Sequence, residues 1–204
     1  MAKGSVLCFL NNEIEPLEPD WLTEMVARVQ RPGGGVVGAK LLYPDGQDQH
    51  AGVVLCGDHV ARHAHHGIAG DAPGYKGRAR QVQTLSAVTG ACMVVRRETF
   101  QATGGFDAEA FAVDFNDTDL CLRAAVAGYP TVWTPPARLL HHESASRGTF
   151  VTPVKAARYE VERAAMVKRW GALQYDDPYY NPNLTLDAEA ESFDLAWPPR
   201  SIDR

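Results

Sequence analysis

An α/β architecture, a mixed sheet flanked by helices, is what this 204-residue sequence predicts, and three observations predict it. Short apolar runs of strand length, such as "VLCFL" and "ACMVV", alternate with longer segments of helical period. The helical segments carry their own start and stop residues. Polar clusters stand where the regular segments begin or end, which is where open α/β sheets deliver functional side chains.

The elements follow in order. Val6 to Leu10 reads as a buried strand that runs abruptly into Asn11, Asn12 and Glu13. Leu22, Met25, Val26 and Val29 then recur with helical spacing, and Pro32-Gly33 closes that helix. Gly33-Gly34-Gly35 follows the helix without G-x-G-x-x-G spacing, so it is a stop signal and not a dinucleotide site. "GVVGAKLLYPDGQDQHAGVVL" gives two extended segments about the turn Pro44-Asp45-Gly46. Residues 56 to 83 lack a period and read as a long loop.

"LSAVTGACMVVRR" reads as an apolar strand broken at Gly90, where a glycine allows a bulge or a close approach. "RETFQATGGF" is a short helix stopped by Gly104-Gly105. "NDTDLCLRAAVAGY" is a helix capped by Asn116 or Asp117, with Gly128 as its stop. "TVWTPPARLLHHES" gives two short strands separated by Pro135-Pro136. "TPVKAARYEVERAAMVKRWG" is a longer helix with Thr152 as cap, Pro153 at its first position and Gly171 after its end. Domain boundaries follow: residues 1–171 form the α/β body, and residues 172–204 an extended, Pro-rich, acidic tail that packs its aromatics on the body.

Composition narrows the function classes. Apolar residues make up 45% and charged residues 22%, as in globular proteins. A formal net charge of -5, with Lys and Arg scattered, gives no basic footprint for nucleic acid. No apolar run approaches the roughly 20 residues of a transmembrane helix. Cys8, Cys56, Cys92 and Cys121 lie far apart among apolar residues, so four buried free thiols are expected rather than a zinc site or disulfides.

Three polar clusters can carry chemistry: Asn11-Asn12-Glu13, Asn116-Asp117-Thr118-Asp119 and His141-His142-Glu143. Each has a plainer reading, since Asn favours turns, carboxylates in a helix's first turn offset the macrodipole, and adjacent histidines at a strand end face opposite ways. His59, His63, His65 and His66 in "HVARHAHHG" have no companion carboxylate or Cys, so they read as solvated or substrate-contacting rather than as a structural metal site.

Taken in order, "LNNEIEP", "GAKLLYPDGQDQHAGVVL", "VTGACMVVRRETF", "GGFDAEAF", "FNDTDLCLRAAVAGY" and "HHESASRG" resemble successive landmarks of family 2 glycosyltransferases. The resemblance runs from Val6 to about Leu186 and implies a GT-A fold, with a nucleotide-sugar half followed by an acceptor half. It covers the acceptor-side half, with only "MAKGS" before the first strand, and so implies an incomplete GT-A domain. An isolated chain of that kind is expected to show no measurable transfer, to bind UDP only weakly, and to self-associate, as a homodimer or aggregate, through the exposed edge of the first strand.

The resemblance also implies roles. Asn11-Asn12-Glu13 falls at the family's D-x-D, so Glu13 becomes a metal ligand and Asn11 and Asn12 contact ribose or diphosphate. His141, rather than His142, falls at the late metal-ligand position, and the expected cofactor is a divalent ion, Mn²⁺ or Mg²⁺. Asp117 falls at the general base of an inverting transfer, a role worth about 10²–10⁴-fold. Thr89, Gly90, Ala91 and Asp119 fall on the acceptor side. The implied partners are a nucleotide-diphospho-sugar and a saccharide acceptor, in cell-envelope or exopolysaccharide synthesis; the implied location is the cytoplasm, free or peripheral to the inner face of the membrane. Two other readings stay open: a non-catalytic carbohydrate-binding or interaction module left after loss of the nucleotide-binding half, and a metal-dependent hydrolase.

Overall fold

A computed structural model describes residues 2–142, 152–187 and 193–200. In chain order the regular elements are β1 (Val6–Leu10), β2 (Ile14–Pro16), α1 (Trp21–Val29), β3 (Val36–Leu42), β4 (Asp48–His50), β5 (Val53–Leu55), β6 (Ala61–His63), β7 (Gln83–Leu85), β8 (Cys92–Arg96), α2 (Arg97–Ala102), α3 (Asn116–Val126), β9 (Thr131–His141) and α4 (Pro153–Tyr175). Short 3₁₀ turns at Gly57–His59 and Tyr75–Arg80 punctuate the stretch before β7.

The main sheet runs β1-β8-β3-β9-β2, with β4 added to β3 and β7 to β9. It is mixed, as expected: β3 pairs parallel with β9 and antiparallel with β8. Every residue of β3 is buried, because both faces of this central strand are covered. Val37, Ala39 and Leu41 face Met25 and Val29 of α1, whereas Val36 faces Leu120, Cys121 and Ala124 of α3. The period of two thus sorts β3 between two helical layers. Gly38 belongs to the α3 side, where a Cβ would come within 2.4 Å of the Val88 side chain. Trp133 of β9 is fully buried, and its indole N–H donates to the Ala39 carbonyl at 3.1 Å.

Several sequence expectations change. The first strand is not buried; β1 is an end strand of the described sheet, half-exposed, with Cys8 at the surface. The other three cysteines are buried and free. Residues 56–83 hold β6, which pairs with β5, besides the two 3₁₀ turns. The apolar segment around Gly90 is strand only from Cys92, as β8 between β1 and β3, while its first residue, Leu85, ends β7, which joins β9.

Pro135-Pro136 does not divide β9, because the ladder to β3 steps from Ala39↔Thr134 to Lys40↔Arg138 and passes over the prolines in a bulge. The cap of α3 is Phe115, in left-handed geometry (φ 61°), rather than Asn116 or Asp117. α4 starts as expected, with Thr152 accepting from the Lys155 amide at 3.2 Å, but it runs through Gly171 to Tyr175. The expected boundary at 171/172 therefore falls inside a helix. Tyr180, Leu184 and Phe193 beyond it bury themselves against Val54 and Ala64.

Candidate functional site

A cleft of about 480 Å³ opens where these elements end. Asn11 and Glu13 enter from the turn after β1, His141 from the end of β9, Thr89, Gly90 and Ala91 from the turn before β8, and Asp117 from the first turn of α3. Sheet pairing explains how residues about 130 positions apart meet. β2 runs antiparallel to β9 with Ile14 opposite His141, and the His142 amide donates to the Glu13 carbonyl at 3.0 Å. The Asn11 amide donates to the Ala91 carbonyl at 2.9 Å, locking the β1 turn to the β8 turn.

Asp117 is held by the backbone. Its Oδ2 accepts the Gly90 N–H at 2.7 Å and its Oδ1 accepts the Thr118 N–H at 2.7 Å. Oδ1 also accepts the Thr118 hydroxyl at 3.3 Å, whereas Oδ2, with one donor and two lone-pair directions, retains capacity for a further hydrogen. The strained Phe115 just before it costs about 1–3 kcal/mol. It is retained by the first α3 hydrogen bond, from the Asp119 amide to the Phe115 carbonyl, and by ring contact with Tyr159. The loop before α3 hangs on α4: buried Glu162 accepts from the amides of Val113 (3.3 Å) and Asp114 (2.5 Å).

His141 is 7% exposed. Its Nδ1 lies 2.7 Å from the Gln49 Oε1, and its Nε2 lies 3.3 Å from the Asn11 Nδ2 on the cleft side. His142 instead turns outward and meets the Glu15 carboxylate at 3.2 Å. Asn12 is exposed and does not line the cleft.

Asp119 departs furthest from its expected place. It is fully buried away from the cleft, bound to Arg123 at 2.7 Å and to Arg169 at 2.8 Å, and it accepts the Trp170 indole N–H at 3.0 Å. It joins α3 to α4 and does not reach a ligand in the cleft. Glu143, with the rest of "HHESASRG", lies outside the described residues.

The structure adds wall residues that the sequence reading did not single out, Phe9, Phe106 and Gln49, and it places Asn116 of the second polar cluster on the same wall. His63, weighed there as substrate-contacting, also lines the cleft. His50 sits behind it, fully buried, and its Nε2 accepts the Thr89 amide at 3.3 Å. Burial, with His63 and His141 nearby, holds the His50 imidazole well below its usual range, so it stays a neutral acceptor bracing the turn. No sequence signal marked it, because Asp48-Gln49-His50 simply continues the polar turn Asp45-Gly46-Gln47.

Among the described residues no three His, Cys, Asp or Glu side chains gather into a self-sufficient metal cluster. Glu13 and His141 supply one carboxylate and one imidazole to the same cleft. That donor set fits a divalent cation whose remaining ligands are substrate phosphate oxygens and water.

No family model matches the chain. It is 50% identical over 186 residues to the uncharacterized protein y4gI of Sinorhizobium fredii, covering 91% of this chain and 20% of that protein. It is 43% identical over 188 residues to the O-antigen biosynthesis protein RfbC of Myxococcus xanthus, covering 92% of this chain and 14% of RfbC. A 61-residue stretch is 41% identical to the N-acetylglucosaminyl-diphospho-decaprenol L-rhamnosyltransferase of Mycobacterium tuberculosis, covering 30% of this chain and 20% of that enzyme. The chain thus spans a fifth or less of the length of these curated relatives.

Among solved structures it resembles the mannosyltransferase PcManGT of Pyrobaculum calidifontis, solved with GDP-Man and Mn²⁺. The TM-score is 0.50 at 16% identity, over 82% of this chain and 40% of that one. The mixed α/β fold is therefore of a glycosyltransferase type. Among the described residues no helix is long and apolar enough to cross a membrane.

Proposed function

We propose that the cleft is the acceptor and diphosphate end of an inverting, family 2-like glycosyltransferase site. It would transfer a sugar from a nucleotide-diphospho-sugar to a saccharide acceptor in cell-envelope polysaccharide synthesis. The observation that carries this reading is the Asp117 carboxylate, pinned by the Gly90 amide in the same cleft that Glu13 and His141 line. The names of RfbC and of the mycobacterial rhamnosyltransferase support the pathway class.

In this reading an acceptor hydroxyl lies over Thr89, Gly90 and Ala91 and gives its proton to Asp117. Its oxygen attacks the donor's C1, and the C1–O bond breaks with its electron pair leaving on the diphosphate. Glu13 and the Nε2 of His141 would hold a divalent cation, Mn²⁺ or Mg²⁺, which when bound offsets the charge on the leaving diphosphate. Asn11 contributes hydrogen bonds at that end of the cleft, whereas Asn12 faces solvent. Asp119 acts as a brace between helices.

The test is transfer from a labelled nucleotide-diphospho-sugar, measured on this chain and on the chain grafted into the matching segment of RfbC. Asp117→Asn should lower kcat by about 10²-fold or more with donor binding nearly intact, since only the proton transfer is removed. Near-normal turnover in that variant takes Asp117 out of the mechanism. Saccharide binding without any transfer in the grafted protein would favour a carbohydrate-binding module instead.

A further inference from the structure

The short strand β4 is polar at all three positions and buried at all three. Such a strand needs a partner for each side chain, and the middle one, Gln49, finds its partners on the cleft wall. Its Nε2 donates to the His141 carbonyl at 3.4 Å, and its Oε1 faces the His141 Nδ1 at 2.7 Å. The reverse amide orientation would set two acceptors against each other at that carbonyl, so the network fixes the amide.

An amide oxygen only accepts, which places the imidazole hydrogen on Nδ1 and leaves Nε2 with its lone pair. The other side of the ring agrees, because the Asn11 Nδ2, a donor, lies 3.3 Å from that Nε2. The Gln49 backbone repeats the device: its carbonyl lies 2.9 Å from the His63 Nδ1, so that ring also carries its hydrogen at the rear. The free neutral histidine side chain prefers the opposite tautomer, with hydrogen on Nε2. The wall of this cleft overrides that preference through one residue.

We infer that Gln49 is a positioning residue that holds His141 in the Nδ1–H tautomer and so presents the Nε2 lone pair to a divalent cation in the cleft. The inference rests on the metal reading of Glu13 and His141 given above. A carboxylate there would also hold the hydrogen on Nδ1 while making the ring more basic, whereas the amide fixes the tautomer with a neutral acceptor. Without Gln49, the Nε2–H form would point a hydrogen at the cation's place.

Two measurements test this on the whole chain. The first is the ¹⁵N spectrum of the histidine rings in metal-free protein, above the imidazole pKa, with His141 assigned from the signals lost in His141→Ala. The expected result is a pyridine-type Nε2 and a pyrrole-type Nδ1 in the wild type, reverting towards Nε2–H in Gln49→Leu. The second is Mn²⁺ binding followed by electron paramagnetic resonance in the presence of GDP or UDP. Gln49→Leu should weaken it about 10–100-fold, as for outer partners of metal-bound histidines. Gln49→Glu, which keeps an acceptor at Nδ1, should lose much less.

An Nε2–H tautomer in the wild type overturns the inference, as does unchanged Mn²⁺ affinity in a folded Gln49→Leu. Should Gln49→Leu fail to fold, Gln49→Met serves, and the wild-type spectrum decides without either variant. If the wild type binds no Mn²⁺ with nucleoside diphosphate, the metal reading fails, while the spectrum still rules on what Gln49 does to His141.

Discussion

Asp119→Asn separates a structural carboxylate from an acceptor-binding one, because the two roles predict opposite losses. The wild-type side chain is fully buried and both oxygens are engaged, Oδ2 by Arg123 and Oδ1 by Arg169 and the Trp170 indole. Asparagine keeps the shape but offers one oxygen, so one guanidinium meets an NH₂ group across less than a hydrogen-bond length. Removing one partner of a buried ion pair costs about 3–5 kcal/mol.

The structure argues for the lower end of that range. Arg123 also donates to the carbonyls of Thr103 and Gly105, and Arg169 to Asp107, so neither cation is left without partners. The Arg123 and Arg169 side chains are 21% and 36% exposed, so water can reach them. A loss of about 3 kcal/mol is expected, which for a chain of this size lowers Tm by about 10 °C. Urea and thermal denaturation measure it, and titration of the folded variant with oligosaccharide should give wild-type affinity. Destabilisation below about 1 kcal/mol together with lost saccharide binding would refute the bracing role.

Two further outcomes are expected. Burial pushes the Asp48 carboxyl up to about 6, against the pull of Lys40 at 3.0 Å and of Arg138. The folded chain then binds this proton more tightly than the unfolded chain, so the stabilisation is full below pH 3.8 and is lost as the pH rises through about 6. At roughly 1.4 kcal/mol per pH unit the difference is about 3 kcal/mol. It should vanish from the pH dependence of urea unfolding in Asp48→Asn, and an unchanged slope would count against it. For Gly90→Ala, the added methyl would lie 3.4 Å from the Asp117 Cβ and 3.6 Å from its Oδ2, an ordinary contact at a backbone conformation open to any residue. Stability should stay within about 0.5 kcal/mol, while saccharide binding falls because the methyl projects beside Asp117; wild-type binding would remove this turn from the acceptor site.

What was legible in the sequence, and what was not, follows from how side chains are directed. The ordered resemblance to family 2 glycosyltransferases, more than any single cluster, singled out Asn11, Glu13, Thr89, Gly90, Ala91, Asp117 and His141, and the fold gathers all seven into one cleft. Asp119 could have been separated from Asp117 by geometry alone. At 3.6 residues per turn, positions two apart on a helix point about 200° from each other, so both cannot face one ligand. With Asp117 in the cleft, Asp119 had to turn into the protein towards α4. Asn12, between two residues that do enter the cleft, turns outward by the same kind of alternation.

Pro135-Pro136 misled for a different reason. A proline lacks a donor, but a bulge lets the neighbouring strand pass over it, and β9 continues. β4 lay beyond any periodicity argument. A three-residue strand has too few positions to show a period, and Asp48, Gln49 and His50 are all buried, each with a separate polar partner: Lys40 from the adjacent strand, and His141 and the Thr89 amide from distant sequence. Such a strand is recognisable only after the chain has folded around it, because what makes its residues tolerable inside the protein is Lys40, His141 and the Thr89 amide. Two of its three residues thereby brace the cleft: Gln49 holds His141, and His50 holds the turn that pins Asp117.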